Sequence, residues 1–300
     1  MTLDDRIERD LKDLYNNGSI NGEISSARTL QGVINDKLST KGMPTHYTGN
    51  RNASTVFVTL NPGSYAYDKN KKGKTIYGSD NPIALENEIK KLQIDTSSES
   101  KFIESYKDGK TNFGELTLGG NSAKNAPDRF DVKQAVFFKE WNGSGIFPKG
   151  FPVDNSTAAK EVLMNKLQLE LIPYCSGKFE SKKDKMGLYP FLETLFEEIF
   201  RKKRTYIVFS SAIFEKLFDN SVEMNKIGAS LLGKNTIIPL KPFKKQDGSD
   251  STYSFRCVKI KIRFRNNEYK AMIAPSFFCQ GVAGDLLCQY GEFCYKEYIK

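Results

Sequence analysis

Histidine is almost missing from this chain, His46 being the only one in 300 residues. That leaves little room for imidazole-based catalysis or metal ligation, so any chemistry falls to carboxylates, amides, hydroxyls or backbone. Cysteine is also scarce. Cys175, Cys257, Cys279, Cys288 and Cys294 make an odd number with no C-x-x-C spacing, which disfavours a disulfide framework and a zinc or cluster site alike. They read as free thiols. No stretch approaches the ~18 consecutive apolar residues of a membrane span, and the start, Met1-Thr-Leu-Asp-Asp-Arg-Ile-Glu, has no basic segment followed by an apolar one. A cytoplasmic protein with no membrane partner is expected. No cofactor is called for.

What is present is ordinary soluble composition with a positive balance. The chain is long enough to bury a sizeable core, 39% of it is hydrophobic, and its mean hydropathy is −0.50. A net charge of +9 favours polyanionic partners such as nucleic acid, although many basic proteins only have basic surfaces.

The stretch around which the chain is organised is Val56-Phe-Val-Thr-Leu-Asn61-Pro-Gly-Ser64. It reads as a buried strand running into a tight turn, which delivers one polar side chain, Asn61, at the strand's carboxyl end, where open α/β sheets bind ligands. Pro62 holds the preceding residue extended, and Gly63 lets backbone N–H groups of the turn approach a ligand. A plain strand-ending turn has the same composition.

Before this strand, Leu3, Ile7, Leu11 and Leu14 mark an amphipathic helix over 2–17, with a Thr2/Asp5 capping box and Gly18 as its stop. A second helix is expected from about 25 to 38, and the two form a helical lead-in over residues 1–45. After the turn, a polar stretch at about 64–130 carries two short helices near 83–93 and 98–106. It opens with Tyr65 and Tyr67 among lysines, the mixture that single-stranded nucleic acid favours, and equally that of a solvated loop.

Further on, a helix is capped near Asp154 and runs to about Leu163. Leu167, Leu169 and Leu171 then alternate with Gln168 and Glu170 in a strand. A buried Glu170 would need a partner, a raised pKa or a ligand, whereas an edge strand would leave it in water. Leu188–Phe200 is a core helix closed by Arg201-Lys-Lys-Arg204, cations suited to its dipole. Tyr206–Ser210 is a buried strand with a helix after it, and 236–240 a short strand. Tyr253–Phe264 and Glu268–Ile273 form a hairpin whose first arm has one apolar face and one face of Lys259, Lys261, Arg263 and Arg265. That basic row suits a phosphate backbone or a protected sheet edge. A terminal helix covers 282–299.

In chain order these pieces resemble the uracil-DNA glycosylase superfamily over about residues 45–285. Thr59-Leu60-Asn61-Pro62-Gly63 resembles the Gly-x-Asn-Pro-Gly motif that activates water. Glu170-Leu-Ile-Pro173 resembles the Asn-Leu-x-Pro strand end that reads the base, and Ile273-Ala274-Pro275-Ser276 the His-Pro-Ser motif before the DNA-wedging loop. Tyr47-x-Gly49-Asn50 and the run from Glu170 through Tyr174 to Ser176 are similar to a divergent bacterial branch.

The resemblance implies a three-layer α/β/α sandwich with a mainly parallel sheet, spanning 46–300 behind the helical lead-in and acting as a monomer on DNA or on a nucleobase or nucleotide ligand. It further implies that Asn61 holds the water, that Glu170 reads the base, and that Pro62, Gly63, Ser64, Tyr65, Tyr67, Tyr174, Pro275, Ser276 and Phe277 contact base or strand. Two departures alter the chemistry. Ala274 replaces a histidine that would donate to the departing base, and Glu170 replaces an amide, so that a carboxylate faces the base edge, disfavouring uracil and favouring an amino group. A catalytically inactive binding module and a small-molecule nucleoside or nucleotide hydrolase are the alternative classes.

Overall fold

The structure is a computed structural model that describes residues 1–20, 30, 40–60, 82–107, 129–141, 162, 165–174, 185–278, 282 and 284–300. It is an α/β protein whose described residues form a mixed seven-stranded central sheet. The strands are β1 (Tyr47–Gly49), β2 (Thr55–Thr59), β3 (Lys166–Glu170), β4 (Tyr206–Phe209), β5 (Ala229–Ile237), β6 (Cys257–Phe264) and β7 (Asn267–Ile273). Their order across the sheet is β1-β3-β2-β4-β7-β6-β5. The pairs β2/β4 and β4/β7 are parallel, and the β7-β6-β5 end is antiparallel, so the hairpin extends a parallel centre. The helices are α1 (Leu3–Asn17), α2 (Pro82–Lys91), α3 (Glu99–Lys107), α4 (Arg129–Phe138), α5 (Tyr189–Phe200), α6 (Ile213–Phe218), α7 (Ser221–Lys226) and α8 (Gly284–Ile299).

The chain falls into two compact units. Contacts group it into one unit of Met1–Thr48, Leu60–Thr117 and Leu169–Arg201, and another of Gly49–Thr59, Leu118–Gln168 and Lys202–Lys300. The expected helices at 25–38 and 154–163 fall largely outside the described residues.

In the first unit, α1 has the cap its sequence predicts: the Thr2 hydroxyl accepts the Asp5 N–H, the Asp5 carboxylate accepts that of Thr2, and Gly18 ends the helix at φ +64°. Its apolar stripe of Leu3, Ile7, Leu11 and Leu14 is buried, and so is a polar stripe of Arg6, Asp10 and Asp13. A helix buried on two sides belongs to the core of its unit. Arg6 shows how such burial is tolerated. Its Nη2 donates to the Pro190 carbonyl at 2.9 Å and to Thr194 Oγ1 at 2.8 Å, while the guanidinium lies 3.9 Å over the Phe191 ring.

In the second unit, strand alternation separates two apolar layers. Phe57, Val208 and Met272 face α4 and α8, where Phe137, Phe138, Trp141, Leu286, Leu287 and Tyr290 complete a core. On the other face Phe209 meets Phe214 and Phe218 of α6 with ring centroids 4.9 and 5.0 Å apart. Trp141 is fully buried, its indole N–H donating 3.0 Å to the Gly291 carbonyl. Gly291 is demanded by close approach, since a Cβ there would lie 1.7 Å from the Phe137 carbonyl oxygen.

Two sequence expectations are corrected here. The basic-faced arm, β6, is not an edge strand, because β5 pairs along its whole length and forms the edge itself. Arg204 does more than complement a helix dipole: it is buried, and its Nη1 donates 3.0 Å to the Arg51 carbonyl and also to that of Ala53, bracing the loop that enters β2.

Candidate active site at the strand ends

The strand order β3-β2-β4-β7 means that the chain leaves β2 towards one side and returns to β4 on the other. The reversal therefore lies between β2 and β4, and in open α/β sheets the crevice outside the carboxyl ends at such a point is where ligands bind. Those ends are flush, with Val58 beside Phe209 and Phe209 beside Ile273. They are also stitched together. The Ser210 N–H and hydroxyl both donate to the Val58 carbonyl at 2.9 Å, and the Ala274 N–H donates to the Phe209 carbonyl at 2.7 Å.

After β7, the segment resembling His-Pro-Ser turns through a short 3₁₀ helix, Pro275–Phe278. Ala274 is fully buried and its methyl group offers no donor. The Ser276 hydroxyl donates 3.3 Å to the Ser254 carbonyl, and its N–H donates to the Tyr290 hydroxyl at 3.3 Å. Burial pushes the Tyr290 phenol well above its ordinary value, so it stays a donor, to the Arg256 carbonyl at 2.6 Å. The Phe277 ring is 2% exposed and packs 5.0 Å from Phe57 and 5.4 Å from Phe137. Ser276 and Phe277, expected along a nucleic-acid strand, are thus built into the core, and Pro275 is half-exposed.

The other expected residues lie in the first unit. Glu170 closes β3 and is 5% exposed. The edge-strand account of it fails, because β1 lies outside β3 and the Glu170 N–H donates to the His46 carbonyl. Two residues on, the Ile172 N–H donates to the Leu60 carbonyl at 2.8 Å. This lays the Glu170-Leu-Ile-Pro173 segment against the residue that immediately precedes Asn61. Asn61, Pro62, Gly63, Ser64, Tyr65 and Tyr67 themselves lie outside the described residues. Tyr174, also expected at the base, is 1% exposed and gives its hydroxyl to Asp10 Oδ2 at 2.6 Å.

That contact opens onto a buried polar cluster the sequence did not announce. His46 Nε2 lies 3.1 Å from the same Asp10 oxygen, with both side chains buried. The His46 N–H donates to the Tyr106 hydroxyl at 3.3 Å, and that hydroxyl donates to the Pro44 carbonyl at 2.7 Å. Desolvation drives the Tyr106 phenol up, which keeps it protonated for this bond. The Arg6, Asp10 and Asp13 spacing was a visible clue, because it repeats the helical period of the apolar stripe, yet spacing cannot tell a solvated polar face from a buried one.

A second buried set sits at the other end of β3. Lys166 is fully enclosed, its Nζ bonded to Gln168 Oε1 at 2.6 Å and to Gln134 Oε1, with the Phe57 ring centroid 5.8 Å away. Lys166, Gln168 and Glu170 thus form a polar row on one face of the strand, each of them buried.

No family model, curated protein or solved structure matches this chain. The arrangement must therefore be read from its own chemistry. Among the described residues no group of three His, Cys, Asp or Glu side chains is placed to hold a metal ion, and no helix is long and apolar enough to cross a membrane. Cys257, Cys288 and Cys294 are free thiols as expected.

Proposed function

We propose that the protein acts on a base in DNA other than plain uracil, as an N-glycosylase-like hydrolase of the uracil-DNA glycosylase type, with the three-layer fold that this implies. The observation that carries the reading is the Ile172–Leu60 hydrogen bond, which sets the strand end bearing Glu170 beside the approach to Asn61-Pro62-Gly63. It is supported by the burial of Glu170 in an interior strand, and by the reversal of strand order at β2, the strand that leads to Asn61.

Cleaving a deoxyribosyl C1′–N bond builds oxocarbenium character on the sugar and negative charge on the base. The flipped nucleotide needs a water held beside C1′ and contacts on the base edge. Asn61 takes the first role through its side-chain amide, and Glu170 the second, accepting from an exocyclic amino group and repelling a carbonyl oxygen. With Ala274 in the third motif, stabilisation of the departing base falls to backbone N–H groups.

The test is a panel of oligonucleotides, each carrying one modified or mispaired base, assayed for abasic product. The expected result is release of an amino-bearing base, reduced on the order of 100-fold or more by Asn61→Ala, with Glu170→Gln shifting preference towards carbonyl-bearing bases. Unchanged release in Asn61→Ala would sink the assignment.

A second reading, a binding module without turnover, is favoured by one set of contacts: Ser276, Phe277 and Tyr174 are all committed to internal packing or hydrogen bonds. Salt-sensitive DNA binding with no abasic product from any base would select it.

A further inference from the structure

The face of the sheet that begins under α8 does not stay covered. Cys257, at the start of β6, is buried against that helix, whereas Lys261 and Arg263 on the same face are exposed and Lys259 is half-exposed. Pairing register completes the patch. Lys261 stands directly opposite Lys270 of β7, and Arg263 opposite Glu268. On the β5 side Lys261 faces Gly233, where a Cβ would meet nothing within 4 Å, so the space over this part of the sheet is open.

Of the four cations on this face two pair with a carboxylate, and it is the same one, since Glu268 takes both Lys261 and Arg263, the latter at 2.8 Å. Like charges directly across a ladder are destabilising. Lys261 and Lys270 are such a pair, and neither Lys270 nor Lys259 has a carboxylate partner among the described residues. The row is also regular: alternate residues of a strand recur every ~6.8 Å, and a nucleic-acid strand likewise presents its charges one per phosphate in a regular series. A regular row of cations suits a linear polyanion better than a compact acidic patch.

We infer that the open face of β6 and β7, through Lys259, Lys261, Arg263 and Lys270, is a docking surface for the phosphate backbone of a nucleic acid. It lies outside the strand-end site, and it rests on the proposed function only in taking DNA as the polyanion. Its contribution is affinity without base readout, the sequence-independent part of DNA binding.

The test measures affinity of the full chain for a labelled unmodified oligonucleotide, single-stranded and duplex, across a salt series. It compares wild type with the triple variant Lys259→Gln, Lys261→Gln, Lys270→Gln and with the corresponding triple Lys→Arg variant. Loss of three phosphate contacts makes the slope of log K against log salt shallower by about 2 to 3, and the arginine variant keeps the wild-type slope. The inference is overturned if wild type and glutamine variant share one slope and affinity, or if wild type binds neither DNA at low salt. Binding to phosphatidylserine vesicles in place of DNA would overturn it in favour of a lipid surface. Base release read in parallel separates the two claims. A slope that falls as expected with no release sinks the glycosylase reading alone, and release with an unmoved slope sinks the docking face alone.

Discussion

The Tyr174 hydroxyl donates to Asp10 Oδ2 at 2.6 Å, which ties the segment after Glu170 to the first helix of the chain. The two residues are 164 apart in sequence, and both are buried. Order in the stretch that follows Glu170 therefore depends on a carboxylate near the amino terminus.

Removing that carboxylate strands two groups, whereas removing the phenol hydroxyl leaves Asp10 still facing His46. Asp10→Ala is expected to cost about 3 kcal/mol or more, and Tyr174→Phe about 1 to 2 kcal/mol. The double variant should cost less than the sum, because both changes remove one bond. Urea denaturation of the four proteins checks this. Strict additivity would mean that the contact carries no coupling.

Gly291 and Gly233 make opposite predictions from the same substitution. In Gly291→Ala the new methyl group meets the Phe137 backbone, which cannot swing aside as a side chain would, so α4 and α8 must separate. A loss of about 3 kcal/mol is expected, at the upper end of overpacking costs. Gly233→Ala places its methyl group in open space and should stay within about 0.5 kcal/mol. Comparing thermal midpoints distinguishes the two.

Glu268 is exposed, and hydrogen bonds from Lys261 and then Arg263 hold its carboxyl below the ordinary value of 4.5. Since the folded value lies below the unfolded one, its stabilising effect is present above about pH 4.5 and fades as pH falls through the folded value. Carboxyl titration followed by NMR should move upward in Lys261→Gln, and at the other end of the chain Asp5 should do the same in Thr2→Pro, which removes first the backbone N–H that its carboxylate accepts and also the hydroxyl. No movement in either would show that the bonds do not persist in solution.

The elements the sequence announces most clearly are those whose signals are local. The Thr2/Asp5 box, Gly18 and the leucine stripe place α1 at Leu3–Asn17, close to the expected 2–17. The alternation of Val258, Ile260, Ile262 and Phe264 likewise places β6. What local pattern cannot supply is the neighbour. Whether Glu170 faced water or protein depended on β1 lying outside β3, and whether β6 was an edge depended on β5.

β5 itself runs Ala229–Ile237, against an expected 236–240, because it is an exposed edge whose Gly233 and Lys234 break the apolar run that would signal a strand. Phe277 and Ser276 show a second limit. Their motif suggested a surface, but residues with three-dimensional neighbours such as Phe57 and Ser254 become core. Asp10 and His46 gave no motif at all, since their meeting is purely tertiary.

The single tryptophan has a practical consequence. Trp141 sits fully enclosed among Tyr206, Tyr295 and Tyr298, with ring centroids 5.2, 5.1 and 6.2 Å away, so its emission is fed by those phenols and shielded from solvent until its own unit opens. The Met1–Thr48, Leu60–Thr117 and Leu169–Arg201 unit has no such fluorophore. A red shift in emission thus dates the opening of one half, while circular dichroism at 222 nm reads helices in both, and a lag between the two curves would time the halves separately without any label.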